Sequence, residues 1–409
     1  MWVIILKYVE ISKLTSGMVI AESVMNQDGT IELLSKNSVL NERHINLLRK
    51  LGVLSVKIDD GTISKKAVAP QTPSLQADTI EKAALDANKS FDVESFKTEL
   101  EELDNIRYKD VELKSVVNKK MNISVLTGEG NIPIDKRHEE MIKDTKKVFE
   151  SLKDGDSVDY DLVRKNVEEA LPDMIRNNDV LMRLNQLKET DDYTFEHSFR
   201  VSILAVMIGK WINYTKRELE ELASAALMFD IGKMKIPNFI LQKEGITEDE
   251  FEVIKRHSQF GYSVLMKTKG ITSNIKYSAL QHHERIDGSG YPLRLKEGQI
   301  HEFAKIIMIC DIFDAMTHDR PYKNKVSPFK AAEYISWQSG VTLDSRLCYV
   351  FLTNLAEFYT GKDVVLSNGQ RGRIIFVDVN FPTRPIIKSG DEIVDLIRNK
   401  EIEVMELIS

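Results

Sequence analysis

The run His282-His283-Glu284-Arg285-Ile286-Asp287-Gly288-Ser289-Gly290-Tyr291-Pro292 sets two imidazoles and two carboxylates directly ahead of a glycine-rich turn closed by Tyr-Pro. Imidazole and carboxylate together suit iron, manganese or zinc, and glycine lets the backbone take positive φ or approach a ligand closely. Alone, a His-His pair would read as an exposed helix end before an ordinary turn. This one has company: His197, Asp230, His257 and Asp311 stand in neighbouring segments of helical pattern, and Lys233 follows Asp230 by one turn. If His197, Asp230, His257, His282, His283 and Asp311 converge, they supply four neutral donors and two anions, enough for one or two divalent ions (Fe, Mn or Zn) with Asp230 bridging. Paired ions about 3.5–4 Å apart recur in phosphodiester hydrolysis, where they acidify water, neutralise the phosphate and steady the leaving oxygen.

Around that core sit groups suited to an anionic substrate. Asp230 and Lys233 share a helix face, so the lysine can hold a phosphate oxygen beside the carboxylate, and these two are the candidate catalytic residues. Arg320 and Lys323, in Thr317-His318-Asp319-Arg320-Pro321-Tyr322-Lys323, could grip a second phosphate. Asp230 and Asp311 lie in apolar runs, where a buried carboxylate is costly unless a cation compensates it. Asp314, one turn beyond Asp311, either orients a neighbouring ligand or caps a loop. Asp287 reads as the residue that holds the glycine turn, and Tyr291 either stacks on a base or braces the loop. Of the other histidines, His44 reads as a surface or packing residue, and His138, His301 and His318 read as surface residues.

The elements that must position these groups are mostly helices. Residues 1–62 mix short apolar runs with turn signals and one good helix, Asn41 to Leu51, closed by Gly52, which predicts a small α+β module. A polar stretch with Pro70 and Pro73 opens a linker and charged spacer over 63–135. Residues 136–360 read almost wholly as helix, with Thr247 and Glu250 in a capping-box relation. The last stretch, 361–409, alternates short apolar runs with Asn368-Gly369 and Ser389-Gly390, which predicts a small β extension. The expected fold class is therefore mainly α, with a small α+β N-terminal module and a short β C-terminal extension.

Composition narrows the function. A chain of 409 residues with 42% hydrophobic and 29% charged residues is that of a soluble globular protein of several domains, and a net charge of −7 argues against general nucleic-acid binding. The apolar start Val3-Ile4-Ile5-Leu6 is too short for a signal peptide core or membrane span, so a cytoplasmic protein is expected. Cys310 and Cys348 lack paired spacing and read as core residues.

In combination and order, Tyr193 to Ser198, Asp230-Ile231-Gly232-Lys233 with Ile236-Pro237, His257 with Gly261, His282 to Pro292, and Asp311 to Thr317 with Arg320-Pro321-Tyr322 resemble an HD-GYP domain over residues 180 to 360. This is the bacterial, helical HD-type subclass of metal-dependent phosphohydrolases. The resemblance implies hydrolysis of cyclic di-GMP to pGpG or GMP, with Lys233, Arg320, Lys323, Gly290, Tyr291 and Pro292 at the substrate. It also implies that the Gly-Tyr-Pro loop contacts diguanylate cyclases or other signalling proteins. One position departs: Phe229 stands where the family's namesake pair would have histidine. Carried over residue by residue, one ion keeps Asp230, His257, His282 and His283, whereas the other keeps His197, Asp230 and Asp311 and loses an imidazole. A third-metal position falls on Tyr193, which predicts no third site. The alternative to a working enzyme is a catalytically inactive cyclic di-GMP sensor or protein-interaction module.

Overall fold

Three groups of elements follow one another along the chain. The computed structural model describes residues 2–25, 32–34, 36, 38–50, 53, 55–65, 134–153, 156–176, 193–241, 243, 245–318, 326–378, 381 and 383–408. The expected linker and spacer lie almost wholly outside these residues.

In the first group, β1 (Trp2–Glu10), β2 (Val19–Ile20) and β5 (Ser55–Lys65) form an antiparallel sheet in the order β1-β5-β2, and β3 (Val24–Met25) pairs with β4 (Glu32–Leu34). Strand β5 continues three residues past the expected boundary at 62. Helix α1 (Glu42–Lys50) buries Ile45, Leu47 and Leu48 against Leu14, Ile20, Val56 and Ile58. That small core also takes in Val341 and Trp337 from the helical part, so the module sits on the helices rather than apart from them.

The helical group comprises α2 (Ile134–Glu150), α3 (Tyr160–Arg176), α4 (Tyr193–Trp211), α5 (Lys216–Met228), α6 (Asn238–Leu241), α7 (Glu248–Lys255), α8 (His257–Lys267), α9 (Ser273–Gln281), α10 (Glu302–Thr317), α11 (Pro328–Gln338) and α12 (Ser345–Tyr359). Their starts follow capping chemistry. Thr247 accepts from the Glu250 backbone N–H while the Glu250 carboxylate accepts from the Thr247 N–H, and Thr215 and Glu218 repeat the arrangement at α5. Ser327 caps α11 with Pro328 at its first turn, and Asp344 caps α12. Helix α10 is apolar nearly all round, from Phe303 through Ile306, Ile307, Met308 and Ile309 to Phe313, which marks it as a central helix. Both cysteines are buried, as expected.

The last group is an antiparallel five-stranded sheet of β6 (Asp363–Leu366), β7 (Arg371–Phe376), β8 (Ile386–Ser389), β9 (Glu392–Asp395) and β10 (Val404–Ile408), in the order β10-β6-β7-β8-β9. Gly369 and Gly390 take positive φ in the two hairpin turns read from the sequence. Val364, Leu366, Ile374, Ile387, Val394, Leu396 and Val404 join the same apolar core as the helices. No helix of the described residues is long and apolar enough to cross a membrane.

Candidate metal centre

Asp230 stands two residues past the end of α5 and opens a short 3-10 turn, Ile231–Lys235, rather than lying within an α-helix as its pattern suggested. In a 3-10 turn residues i and i+3 eclipse, and Lys233 accordingly places Nζ 2.5 Å from Asp230 Oδ2. Gly232 is what lets this turn lie against α8: a Cβ there would fall 1.9 Å from the His257 carbonyl oxygen and 2.4 Å from the Gly261 nitrogen. The first residue of α8 is His257, and α9 ends at Gln281, so His282 and His283 leave a helix end facing it. Asp230, His257, His282 and His283 bring one ligand atom each within 4.8 Å of one another.

The donor chemistry of this group is specific. His257 Nδ1 lies 2.6 Å from the Ile254 carbonyl oxygen and His282 Nδ1 lies 2.9 Å from that of Ala279. A carbonyl only accepts, so both Nδ1 atoms carry hydrogen and both Nε2 atoms present lone pairs. Those two nitrogens are 3.0 Å apart, and Asp230 Oδ1 lies 3.3 Å from the first and 3.7 Å from the second. Asp230 Oδ1 has no hydrogen-bond partner among the described residues. Three buried lone pairs aimed at one point repel unless a cation stands between them, so these residues fit a divalent ion. Burial pushes His257 down to about 3 and lowers His282 and His283 as well, which keeps the imidazoles neutral and ready to ligate. Burial opposes the charge on Asp230, but Lys233 and the surrounding histidines outweigh it and hold this carboxylate ionised.

The other expected ligands stand next to this group. His197 Nε2 is 3.0 Å from Asp311 Oδ1 and 3.9 Å from Asp230 Oδ2. Its Nδ1 lies 2.7 Å from Asp314 Oδ2, and Arg200 donates to both oxygens of the same carboxylate at 2.7 and 3.2 Å. Of the two roles open to Asp314, the structure gives it the orienting one. Burial disfavours a proton on His197, yet Asp311 and Asp314 raise it above its ordinary value. Phe229 is fully buried between the two halves, its ring edge-on to His282 at 4.8 Å and to His197 at 5.7 Å. The six residues proposed from sequence therefore lie together, with a carbon ring at their centre.

The glycine loop leans on the same group. The Glu284 carboxylate is buried and accepts from the backbone N–H groups of Leu293 and Leu295 at 2.7 and 2.8 Å. Burial pushes it up to about 7 against those hydrogen bonds. Sequence reading gave Glu284 no role, although a carboxylate directly before a glycine turn is a candidate for closing it. Gly290 rests on the Glu284–Arg285 backbone, where a Cβ would come within 2.4 Å of both residues. Asp287 accepts from Ser289 N–H and Oγ–H, the turn-holding role expected of it. The Tyr291 ring stacks on His283 at 4.6 Å, so it braces the loop. Beyond Tyr291 opens a cavity of about 320 Å³, lined by Gly290, Tyr291 and Pro292 together with Lys255, Arg256, Arg294 and Lys36.

Arg320 and Lys323 lie outside the described residues, as do the side chains of Tyr193 and His138. Of three other histidines, His301 and His318 depart from the surface reading, whereas His44 takes the packing one. His301 is buried and accepts from the Phe303 N–H at the start of α10, His318 is half-buried with Nδ1 3.1 Å from Asp314 Oδ1, and His44 is fully buried. Their partners lie in other elements or across a cap, which a pattern read along one helix does not reveal.

A model of the HD domain family matches residues 169–347, the segment that carries every one of these ligands. The Gly-Tyr-Pro loop and the two histidines before it complete the pattern. The chain carries an HD domain of the HD-GYP type. Over 262 residues the chain is 31% identical to a cyclic di-GMP phosphodiesterase of Pseudomonas aeruginosa, covering 61% of this chain and 63% of the relative. Over 177 residues it is 38% identical to a cyclic di-GMP phosphodiesterase of Thermotoga maritima, covering 42% and 48%. Over 181 residues it is 32% identical to a 3′3′-cGAMP-specific phosphodiesterase of Vibrio cholerae, covering 44% and 42%. The chain thus spans about two fifths to under two thirds of the length of these relatives.

Proposed function

We propose that the chain is a metal-dependent phosphodiesterase that hydrolyses cyclic di-GMP to pGpG or GMP in bacterial signalling. The observation that carries this reading is the convergence of His257 Nε2, His282 Nε2 and Asp230 Oδ1 as buried lone pairs. The relatives' names support the substrate class. Asp230, His257, His282 and His283 would hold one ion, of iron, manganese or zinc. His197 and Asp311, sharing Asp230, offer a second and poorer place because Phe229 cannot ligate. When bound, such an ion supplies a Lewis acid for a phosphate oxygen and makes water acidic enough to attack at neutral pH.

The chain's own groups do the rest. Lys233, partly exposed beside Asp230, holds a phosphate oxygen as charge grows on it. Water oxygen bonds to phosphorus as the P–O3′ bond breaks, and the departing 3′ oxygen takes up a proton. Gly290, Tyr291 and Pro292 line the basic cavity beside the centre, where Lys255, Arg256 and Arg294 suit the rest of an anionic dinucleotide. Arg320 and Lys323 are proposed for its second phosphate.

Phe229 favours a second reading, in which the site binds cyclic di-GMP as a sensor without turnover. Protein loaded anaerobically with iron(II) or manganese(II) should release linear dinucleotide, scored by chromatography, whereas Asp230→Asn and His283→Ala variants should not. Retained dinucleotide binding without product from the parent would select the sensor. Preferential cleavage of 3′3′-cGAMP would move the substrate and keep the chemistry.

A further inference from the structure

Helix α1 of the N-terminal module sends His44 into the glycine loop. Its side chain is fully buried, and Nε2 lies 3.3 Å from Asp287 Oδ2, itself only 6% exposed. Neither atom has a well-aligned hydrogen-bond partner among the described residues, so each is left facing the other. At the opposite nitrogen, Nδ1 sits 3.3 Å from the Asn41 N–H and 3.1 Å from the Val39 carbonyl oxygen. Nδ1 can accept from Asn41 in a neutral ring or donate to Val39 in a doubly protonated one. Both arrangements place hydrogen on Nε2, and the remaining tautomer would set a bare nitrogen against a carboxylate. The pair therefore joins a donor on the module to an acceptor on the loop.

From Asp287 the connection runs inward. Its other oxygen holds Ser289, Gly290 next to it rests on Glu284, the Tyr291 N–H donates to the His283 carbonyl at 3.2 Å, and the Tyr291 ring stacks on the His283 imidazole. A second buried route runs in parallel. Gln338 donates from Nε2 to the Leu33 carbonyl at 2.9 Å and accepts from Thr342 Oγ1 at 2.5 Å, and the Thr342 carbonyl accepts from the Ile286 N–H at 3.0 Å. Arg43, beside His44, donates to the Gly340 carbonyl at 2.6 Å. Both routes start in the module and end within five residues of His283.

We infer that the N-terminal module sets the position of the glycine loop through the buried His44–Asp287 pair, so that His44 and Asp287 are positioning residues for the ligand His283. The inference rests on the reading of Asp230, His257, His282 and His283 as a metal centre. Removing His44 leaves the buried Asp287 oxygen without the donor that faces it, so the loop shifts to solvate it. Lys36, from the same module, lines the cavity beyond Tyr291, so a displaced module also alters the wall that faces the dinucleotide.

The experiment uses the full chain with His44→Ala, His44→Gln and Asp287→Asn. Hydrogen exchange in the peptide spanning 284–296 is expected to speed up in His44→Ala and Asp287→Asn and to stay near parental in His44→Gln, which keeps a donor. Manganese(II) affinity should fall by about 10-fold or more in the same two variants, the size seen when groups that orient a ligand are removed, and kcat should change more than KM. Faster exchange in α1 alone, with the 284–296 peptide unchanged, would overturn the inference. If His44→Ala unfolds the module, Asp287→Asn decides: faster exchange of the α1 amides is expected from the loop side, and unchanged α1 amides overturn it. Exchange needs no metal. Should the parent bind no manganese, the metal-centre reading fails while the coupling is judged on exchange alone.

Discussion

Phe229 occupies the point on which the two halves of the centre face each other. An imidazole in its place would add a nitrogen between His282 and His197, so Phe229→His is expected to raise bound metal per chain after loading and desalting. Equal metal content in parent and variant would count against this placement of the residue. The neutral histidines carry a second consequence. His257 is pushed down to about 3 from an ordinary 6.5, chiefly by burial, so between those values the unfolded chain binds a proton that the folded protein refuses. Stability of the metal-free protein should therefore be intact above pH 6.5 and fall as the pH is lowered toward 3. Urea midpoints taken in chelator at pH 7, 5.5 and 4.5 should show this slope, and His257→Gln should flatten it; an unaltered slope would remove the ring as its cause. That His197, Asp230, His257, His282, His283 and Asp311 belong together is legible in the sequence, because their residue types admit few other uses in that order. The roles of Glu284 and His44 are not, and that of Asp314 stays open between two, since each acts through a partner that helical periodicity does not reveal: backbone N–H groups nine and eleven residues on for Glu284, a loop carboxylate in a different domain for His44, and an imidazole on another helix for Asp314.

Among the elements, the 3-10 turn Ile231–Lys235 decides the geometry. It brings Lys233 over Asp230 in three residues, and it can do so only while Gly232 lets the α8 backbone pass at van der Waals distance. Gly232→Ala forces the turn and the start of α8 apart. A cost of about 1–3 kcal/mol is expected from overpacking, read as a lowered urea midpoint, together with weaker metal binding because Asp230 and His257 sit on the two displaced segments. A variant as stable and as metal-avid as the parent would show that the turn gives way freely. Sequence pattern predicted helices here and located their starts well, because caps such as Thr247 with Glu250 are local chemistry. It read Asp230 and Lys233 as α-helical because spacing of three fits both helix types, and the choice between them was made by α8. The Ser389-Gly390 turn implies a strand on its far side, and β9, Glu392 to Asp395, takes that place by pairing with β8.

In the molecule as a whole, the two terminal units differ in how they are held. The β extension was read as an appendix, yet Val364, Leu366, Ile374, Ile387 and Val404 belong to the helical core. Each buried aliphatic side chain contributes about 1.5–3 kcal/mol, and losing all of them approaches or exceeds the roughly 5–15 kcal/mol by which folded proteins are stable. A chain ending at residue 360 is expected to lose its cooperative thermal transition, whereas a chain starting at residue 134 should keep one; the reverse result would show that the core boundary lies elsewhere. The N-terminal module has an apolar core of its own and meets the helices along the strip from Trp337 to Thr342 and at the glycine loop. Since module and loop belong to one polypeptide, their meeting is a unimolecular event, governed by an effective concentration rather than by the amount of protein in solution. Dilution leaves such a contact closed. A severed module would have to be supplied at comparable concentration to close it again, so covalent continuity can make a small polar seam behave like a tight one.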